Sequence, residues 1–353
     1  MKTPQPDYWP TRAWQIATPQ ELHMDSESLS QLHAYARSNG LLHSILVVRS
    51  GHIVFEHYYR GWGPNHYHNL FSATKSITSA LVGIALHEGS LQNLDQRILD
   101  FFPEDASRER DPRTQAITLR HLLTMSSGYD YPNEIHKLLD DSETITQMLD
   151  RPMKYEPGQV FSYDDIDVHL LGRILARVTD TSLANFALNR LFQPLGIWQD
   201  EQGTLFPWKS ETYRPDVWHP FYLPDTQHGY LWTIDRAGYS WGSSGLQFTP
   251  REMAKFGYLY LNQGWWDGKE IVPAWYVQES LCQQITDEHG QGYGYLWWLS
   301  EVSGHAIPHA AGHGGQIIAI VPDFDLVFVI TSSVGDDYRH IEAVMNLLIA
   351  AVA

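Results

Sequence analysis

The chain has 353 residues, 43% of them hydrophobic, enough for a large core in one large or two interleaved domains. Its formal net charge of −17, from 24 Lys and Arg against 41 Asp and Glu, argues against nucleic acid and against an anionic membrane surface as partners. Cys282, the single cysteine, excludes an internal disulfide; the N-terminal stretch has no signal-like apolar core and no run reaches the ~18 apolar residues of a membrane span, so a cytoplasmic location is expected.

Residues 25–40 read as an amphipathic helix, with Leu29, Leu32 and Ala36 on one side and Gly40 as its stop. Two β-rich runs, 44–49 and 52–59, flank Ser50-Gly51 and predict a hairpin. From Ser72 to about residue 225 the texture is helical, at 72–88, 118–125, 143–150, 165–178 and 182–192, with loops rich in Pro, Gly and Asp and no expected strand. Thr249-Pro-Arg-Glu252 is a capping box with proline at the first helical position, which predicts a helix over 250–262. Residues 293–299 read as a strand, 315–321 and 326–331 as a second hairpin, and 338–351 as a terminal helix.

These elements predict an α/β (α+β) fold. One antiparallel sheet, built from both chain ends (1–71 and 226–353), is flanked by the N- and C-terminal helices, and a mainly helical domain (72–225) is inserted between them. A ligand cleft is expected between the two lobes.

Ser72-Ala-Thr-Lys75 is the only Ser-x-x-Lys in the chain, and it opens an apolar helical run through Leu86. Positions three apart share a helix face, so Ser72 and Lys75 are neighbours. A serine hydroxyl is a weak nucleophile until a base takes its proton, and a buried lysine with a lowered pKa serves as that base. Ser72 also stands at the positive end of the helix. Alone the tetrapeptide is a weak signal, since ordinary helices carry such spacings.

Two further segments add to it: Phe161-Ser162-Tyr163-Asp164-Asp165, leading into a helix, and Gly312-His313-Gly314-Gly315-Gln316, leading into the last hairpin. In this order the three motifs resemble the penicillin-binding protein and class C β-lactamase superfamily. More narrowly, the chain is similar to β-lactamase-like serine hydrolases such as family VIII carboxylesterases and 6-aminohexanoate-dimer hydrolase. Phrases along the chain support this, among them Leu119-Arg-His-Leu-Leu-Thr-Met-Ser-Ser-Gly128 and Leu191-Phe-Gln-Pro-Leu-Gly196. The resemblance covers about residues 20–350.

It implies that Ser72 is the acylating nucleophile, Lys75 the amine that helps deprotonate it, and Tyr163 a proton relay to the leaving group. The main-chain N–H groups of Ser72 and Gln316 match the oxyanion hole, where each donor is typically worth ~3–4 kcal/mol. Gly314 and Gly315 let the strand approach a ligand closely. Two departures bear on substrate. The family's Tyr-x-Asn is Tyr163-Asp164-Asp165, so Asp165 either meets substrate, holds Lys75 or caps the following helix. The family's Lys-Thr-Gly is His313-Gly314-Gly315, which removes a fixed positive charge and a hydroxyl. Both favour a serine hydrolase acting on esters or amides of small molecules over a dedicated β-lactamase. Other activities of the same site (β-lactamase, D-amino-acid peptidase or amidase) remain alternatives, as does a non-catalytic binding protein on the same scaffold. No metal or organic cofactor is implied, and a homo-oligomer is compatible with the sequence.

Other features compete. Gly238-Tyr-Ser240-Trp-Gly242 matches a nucleophile elbow but lacks a buried strand before it. His305, His309 and His313 are spaced by four, which serves a metal only on a helix, and Pro308 and Gly312 oppose one. Tyr129, Trp232, Tyr239 and Trp241 fall where the resemblance places a cleft wall, with core packing as the other reading.

Overall fold

The computed structural model describes residues 6, 8–105, 107–131, 145–199, 208–209, 230–235, 237–333 and 339–352. Eight antiparallel strands form its main sheet: β1 (Leu42–Arg49), β2 (His52–Tyr58), β3 (Ile285–Thr286), β4 (Gly292–Tyr293), β5 (Trp298–Val302), β6 (His305–Gly312), β7 (Gln316–Val321) and β8 (Leu326–Ser332). Their order across the sheet is β2-β1-β8-β7-β6-β5-β4-β3, so the first hairpin pairs with the last strand in sequence.

Strand periodicity splits the core in two. Ile45, Val47, Phe328 and Ile330 face helices α1 (Ser26–Ser38) and α5 (Arg339–Ala350), which supply Leu29, Leu32, Ala36, Val344 and Leu348. Leu46, Val48, Val327 and Val329 face the other way. They join a larger cluster with α2 (Thr74–His87), α3 (Asp165–Val178) and α4 (Pro250–Leu261). Local chemistry sets the helix starts. Asp25 caps α1 by accepting from the Ser28 N–H, and Thr249 and Glu252 close the expected capping box on α4.

The first hairpin turns through Ser50 and Gly51, both at positive φ, as a two-residue turn requires. The expected strand over 293–299 is instead two strands. Leu296 has φ 62°, so Tyr293 ends β4 and Trp298 opens β5. An unbroken aromatic run carries no alternation that would reveal that turn. Strand β6 was not among the expected elements; Pro308, which opposed a helix there, pairs with Leu299 in the interior of the sheet. The 182–192 helix is Leu183–Ala187 followed by a wider π turn, Leu188–Phe192. Residues 143–144, 338 and most of 200–229 lie outside the described residues. Among the described residues, no helix is long and apolar enough to cross a membrane.

Candidate active site

Ser72 sits in a 3-10 turn, Phe71–Ala73, just ahead of α2 rather than in the α-helix itself. The turn is held at a left-handed residue. Phe71 has φ 47°, and its N–H donates to Asn69 Oδ1 at 2.8 Å. A non-glycine residue in this region is strained and persists only where its surroundings hold it. Strand β6 supplies part of that hold: a Cβ built on Gly312 would lie 2.0 Å from the Leu70 carbonyl oxygen. The sheet backbone therefore passes directly against the turn that carries the serine.

One turn along, Lys75 is buried, with 2% of its surface exposed. Its ammonium donates to Ser72 Oγ at 3.0 Å, to the Ser243 carbonyl at 2.9 Å and to Asp165 Oδ1. Three protons thus meet three acceptors. Burial, the largest single influence, pulls the Lys75 pKa down. The Asp165 charge, Tyr163 and the hydrogen bonds to both together outweigh it, and the net direction is up. This corrects the expectation of a lowered lysine pKa: the amine beside Ser72 is a charged, paired ammonium at neutral pH.

Tyr163 stands just before α3. Lys75 Nζ lies 4.9 Å from its ring centroid, and its hydroxyl interacts with the side chains of both Ser72 and Lys75. Burial raises its pKa and Asp165 adds to that, so the lowering effect of Lys75 is overcome and the phenol stays protonated. The second carboxylate oxygen of Asp165 accepts from Tyr131 Oη at 3.2 Å. Of the three roles open to Asp165, the geometry puts its carboxylate on Lys75. Helix capping falls to Asp164, which accepts from the Ile166 and Asp167 N–H groups. Asp164 and Asp167 are both buried and share one arginine, Arg151. Burial, with Asp164 adding to it, pushes the Asp167 carboxyl up to about 7 despite Arg151.

On the sheet side, Gly314 and Gly315 have φ 78° and 85°, a conformation that favours glycine. A Cβ on Gly315 would stand 2.4 Å from Ser332 Oγ. Gln316 opens β7 opposite Gly312, and its side chain donates to the Ser332 carbonyl at 2.6 Å. The His313 ring meets Phe71 edge-on at 5.8 Å.

The beta-lactamase family profile matches residues 39–351. The chain belongs to the beta-lactamase family. It is 24% identical over 323 residues to a 6-aminohexanoate-dimer hydrolase of Paenarthrobacter ureafaciens, covering 84% of this chain and 74% of that protein. Among solved structures it resembles a family VIII carboxylesterase, with TM-score 0.65 and 19% identity over 93% of this chain and 98% of that one. It also resembles an octameric penicillin-binding protein homologue from Pyrococcus abyssi, with TM-score 0.68 and 20% identity over 92% of this chain and 77% of that one. The fold is that of the family's serine hydrolases.

A cavity opens at this beta-lactamase-family site, lined by Ser72, Tyr163, Trp298, Gly312 and His313 among others. The four proposed wall residues, Tyr129, Trp232, Tyr239 and Trp241, do not line it. Tyr129 is fully buried, its hydroxyl donating to the Leu149 carbonyl beneath Arg151. Tyr239 is 41% exposed and lies under the Arg173 guanidinium, 3.5 Å from its ring centroid. Trp241 is buried near His169, with its carbonyl accepting from Trp232 Nε1 at 2.7 Å. Tyr239 and Trp241 belong to a packing cluster in which Asp235 accepts from both His169 and Arg173 on α3. Ser240 of the Gly-x-Ser-x-Gly match is buried on an isolated bridge to Ile234. His305 meets Asp323 at 2.8 Å, while His309 is buried on β6 against the Ile307 carbonyl. Sequence reasoning missed Tyr131, the Ser243 carbonyl and Trp298. Only Trp298 had a local signal, as part of an aromatic run.

Proposed function

We propose that this protein is a serine hydrolase that cleaves ester or amide bonds of small molecules through an acyl-enzyme on Ser72. The observation that carries this reading is Lys75 Nζ, 3.0 Å from Ser72 Oγ and bonded at the same time to Asp165.

The ammonium has no lone pair with which to take the serine proton, so the base is the Lys75–Asp165 pair. When substrate fills the cleft and excludes water, the environment favours neutral partners over separated charges. A proton then moves from Lys75 Nζ to Asp165 Oδ1, and the freed amine accepts the proton of Ser72 Oγ as that oxygen attacks the carbonyl carbon. Tyr163 gives its proton to the departing alcohol or amine as the acyl C–O or C–N bond breaks, and is reprotonated from Lys75. Water attacks the acyl-enzyme by the reverse relay. The N–H groups of Ser72 and Gln316 receive the developing oxyanion, as the family pattern implies.

His313 in place of a lysine, and Asp165 in place of an asparagine, support small ester or amide substrates over β-lactams, whose carboxylate needs a fixed cation. Comparing short-chain p-nitrophenyl esters, a linear amide dimer and nitrocefin tests that preference. Fluorophosphonate labelling of the intact protein tests the nucleophile: an adduct on Ser72, lost in Ser72→Ala and unaffected in Ser240→Ala, is expected. Failure of Ser72 to label would favour a binding protein instead.

A further inference from the structure

The cavity that reaches Ser72 does not end at Tyr163. It continues across Trp298 and along β5, past Ser300 and Val302, is also lined by Met345 and Asn346 of α5, and measures about 890 Å³. Trp298 stands where the catalytic end meets this extension. Its plane lies 17° from that of Tyr163, with 6.1 Å between ring centroids. Tyr293 meets it edge-on at 4.8 Å and Phe161 at 5.9 Å. Its backbone is paired with His309 in the ladder of β5 and β6. The indole is therefore braced by two rings and a strand, a preformed apolar surface that costs little ordering entropy to use.

Resting on the acyl-enzyme reading above, we infer that Trp298 is the platform for the alcohol or amine half of the substrate and selects flat, apolar leaving groups. The argument is geometric. A general acid must lie within hydrogen-bond reach of the atom it protonates, so the leaving oxygen or nitrogen sits at Tyr163 Oη. The substituent on that atom then passes beside the Tyr163 ring, where the parallel indole forms the next surface, and runs on into the cavity. The acyl chain, on the other side of the carbonyl carbon, does not meet this wall.

The test holds the acyl group constant. Methyl, benzyl and 2-naphthylmethyl butyrate release alcohols of similar basicity and give one common butyryl-enzyme, so differences in kcat/KM report acylation alone. Trp298→Ala should lower the benzyl-to-methyl and naphthylmethyl-to-methyl ratios of kcat/KM by about tenfold or more, the discrimination an apolar pocket typically provides. Trp298→Phe, which keeps a ring and guards against a folding defect, should restore most of the benzyl preference. An equal loss on all three esters, or a loss that follows acyl length in a series of methyl esters, overturns the assignment. If the unmodified protein hydrolyses none of them and Ser72 takes no fluorophosphonate, the acyl-enzyme reading fails and this inference falls with it.

Discussion

Lys75 Nζ bridges Ser72 Oγ and the Asp165 carboxylate, so the amine that faces the nucleophile is held by an acid at the edge of the same cleft. Asp165 occupies the third position of the Tyr-x-Asn-like motif, where an amide would leave the lysine without a counter-charge. The pairing changes how the serine must be activated.

Replacing Lys75 with Met removes both the proton path and the counter-charge to Asp165. The burst of p-nitrophenol from p-nitrophenyl butyrate should vanish and kcat/KM should fall by about 10²–10⁴-fold, the usual contribution of a general base. Far-ultraviolet circular dichroism should be unchanged. A normal burst would remove Lys75 from the mechanism.

Asp165→Asn separates the pair from its charge. In the wild type the Lys75 pKa is raised, so its protonation does not change across neutral pH and kcat/KM should be flat there. The pair's stabilisation is likewise intact at neutral pH and is lost only as pH climbs through the raised lysine value. Without the carboxylate, burial becomes the governing influence and the lysine pKa falls. The variant's kcat/KM should then rise with pH, tenfold or more between about pH 6 and pH 9. An equally flat profile in D165N would exclude Asp165 from the proton path.

The Asp167 carboxyl shifts in the same direction as Lys75, but in a lower pH window. Its folded pKa, about 7, lies above the value of a free aspartate, so the folded protein binds the extra proton between about pH 4 and pH 7. Stability from this group is greatest in acid and declines as pH rises through that window. Asp167→Asn should flatten the decline. In urea titrations the variant should gain on the wild type by roughly 1–3 kcal/mol between pH 5 and pH 8, a value discounted for its coupling to Asp164 and Arg151. Parallel curves for the two proteins would contradict an Asp167 that ionises near neutrality.

Gly312→Ala drives a methyl group into the Leu70 carbonyl beside Ser72. A loss of about 1–3 kcal/mol is expected from overpacking. A drop of at least about tenfold in kcat/KM should accompany it, as the serine turn shifts. Gly40→Ala is the control, since nothing lies within 4 Å of its Cβ position and its φ is not positive. Denaturation midpoints that fall equally in the two variants would show that the close approach at Gly312 has no special weight.

Much of this architecture was legible before folding because it rests on local rules. β-rich runs flanking turns marked β1, β2, β7 and β8, amphipathic spacing marked α1, and a capping box marked the start of α4. Strand β6 was not among the expected elements, and the β4–β5 turn was hidden by an aromatic run whose break depends on the left-handed Leu296. Tyr129 and Trp241 matched a cleft wall by position in the motif order, but burial turned them into packing.

The sequence alone placed Ser72, Lys75 and Tyr163 in the motif order on which the resemblance rests, and assigned one sheet to both chain ends, because motif order and strand-forming runs are properties of the chain itself. Only the tertiary structure decided the charge state of the site. Ser72, Lys75, Asp165 and the Ser243 carbonyl converge from positions as much as 171 residues apart. Whether burial or a nearby carboxylate governs a lysine depends on that convergence, since both act through distance in space.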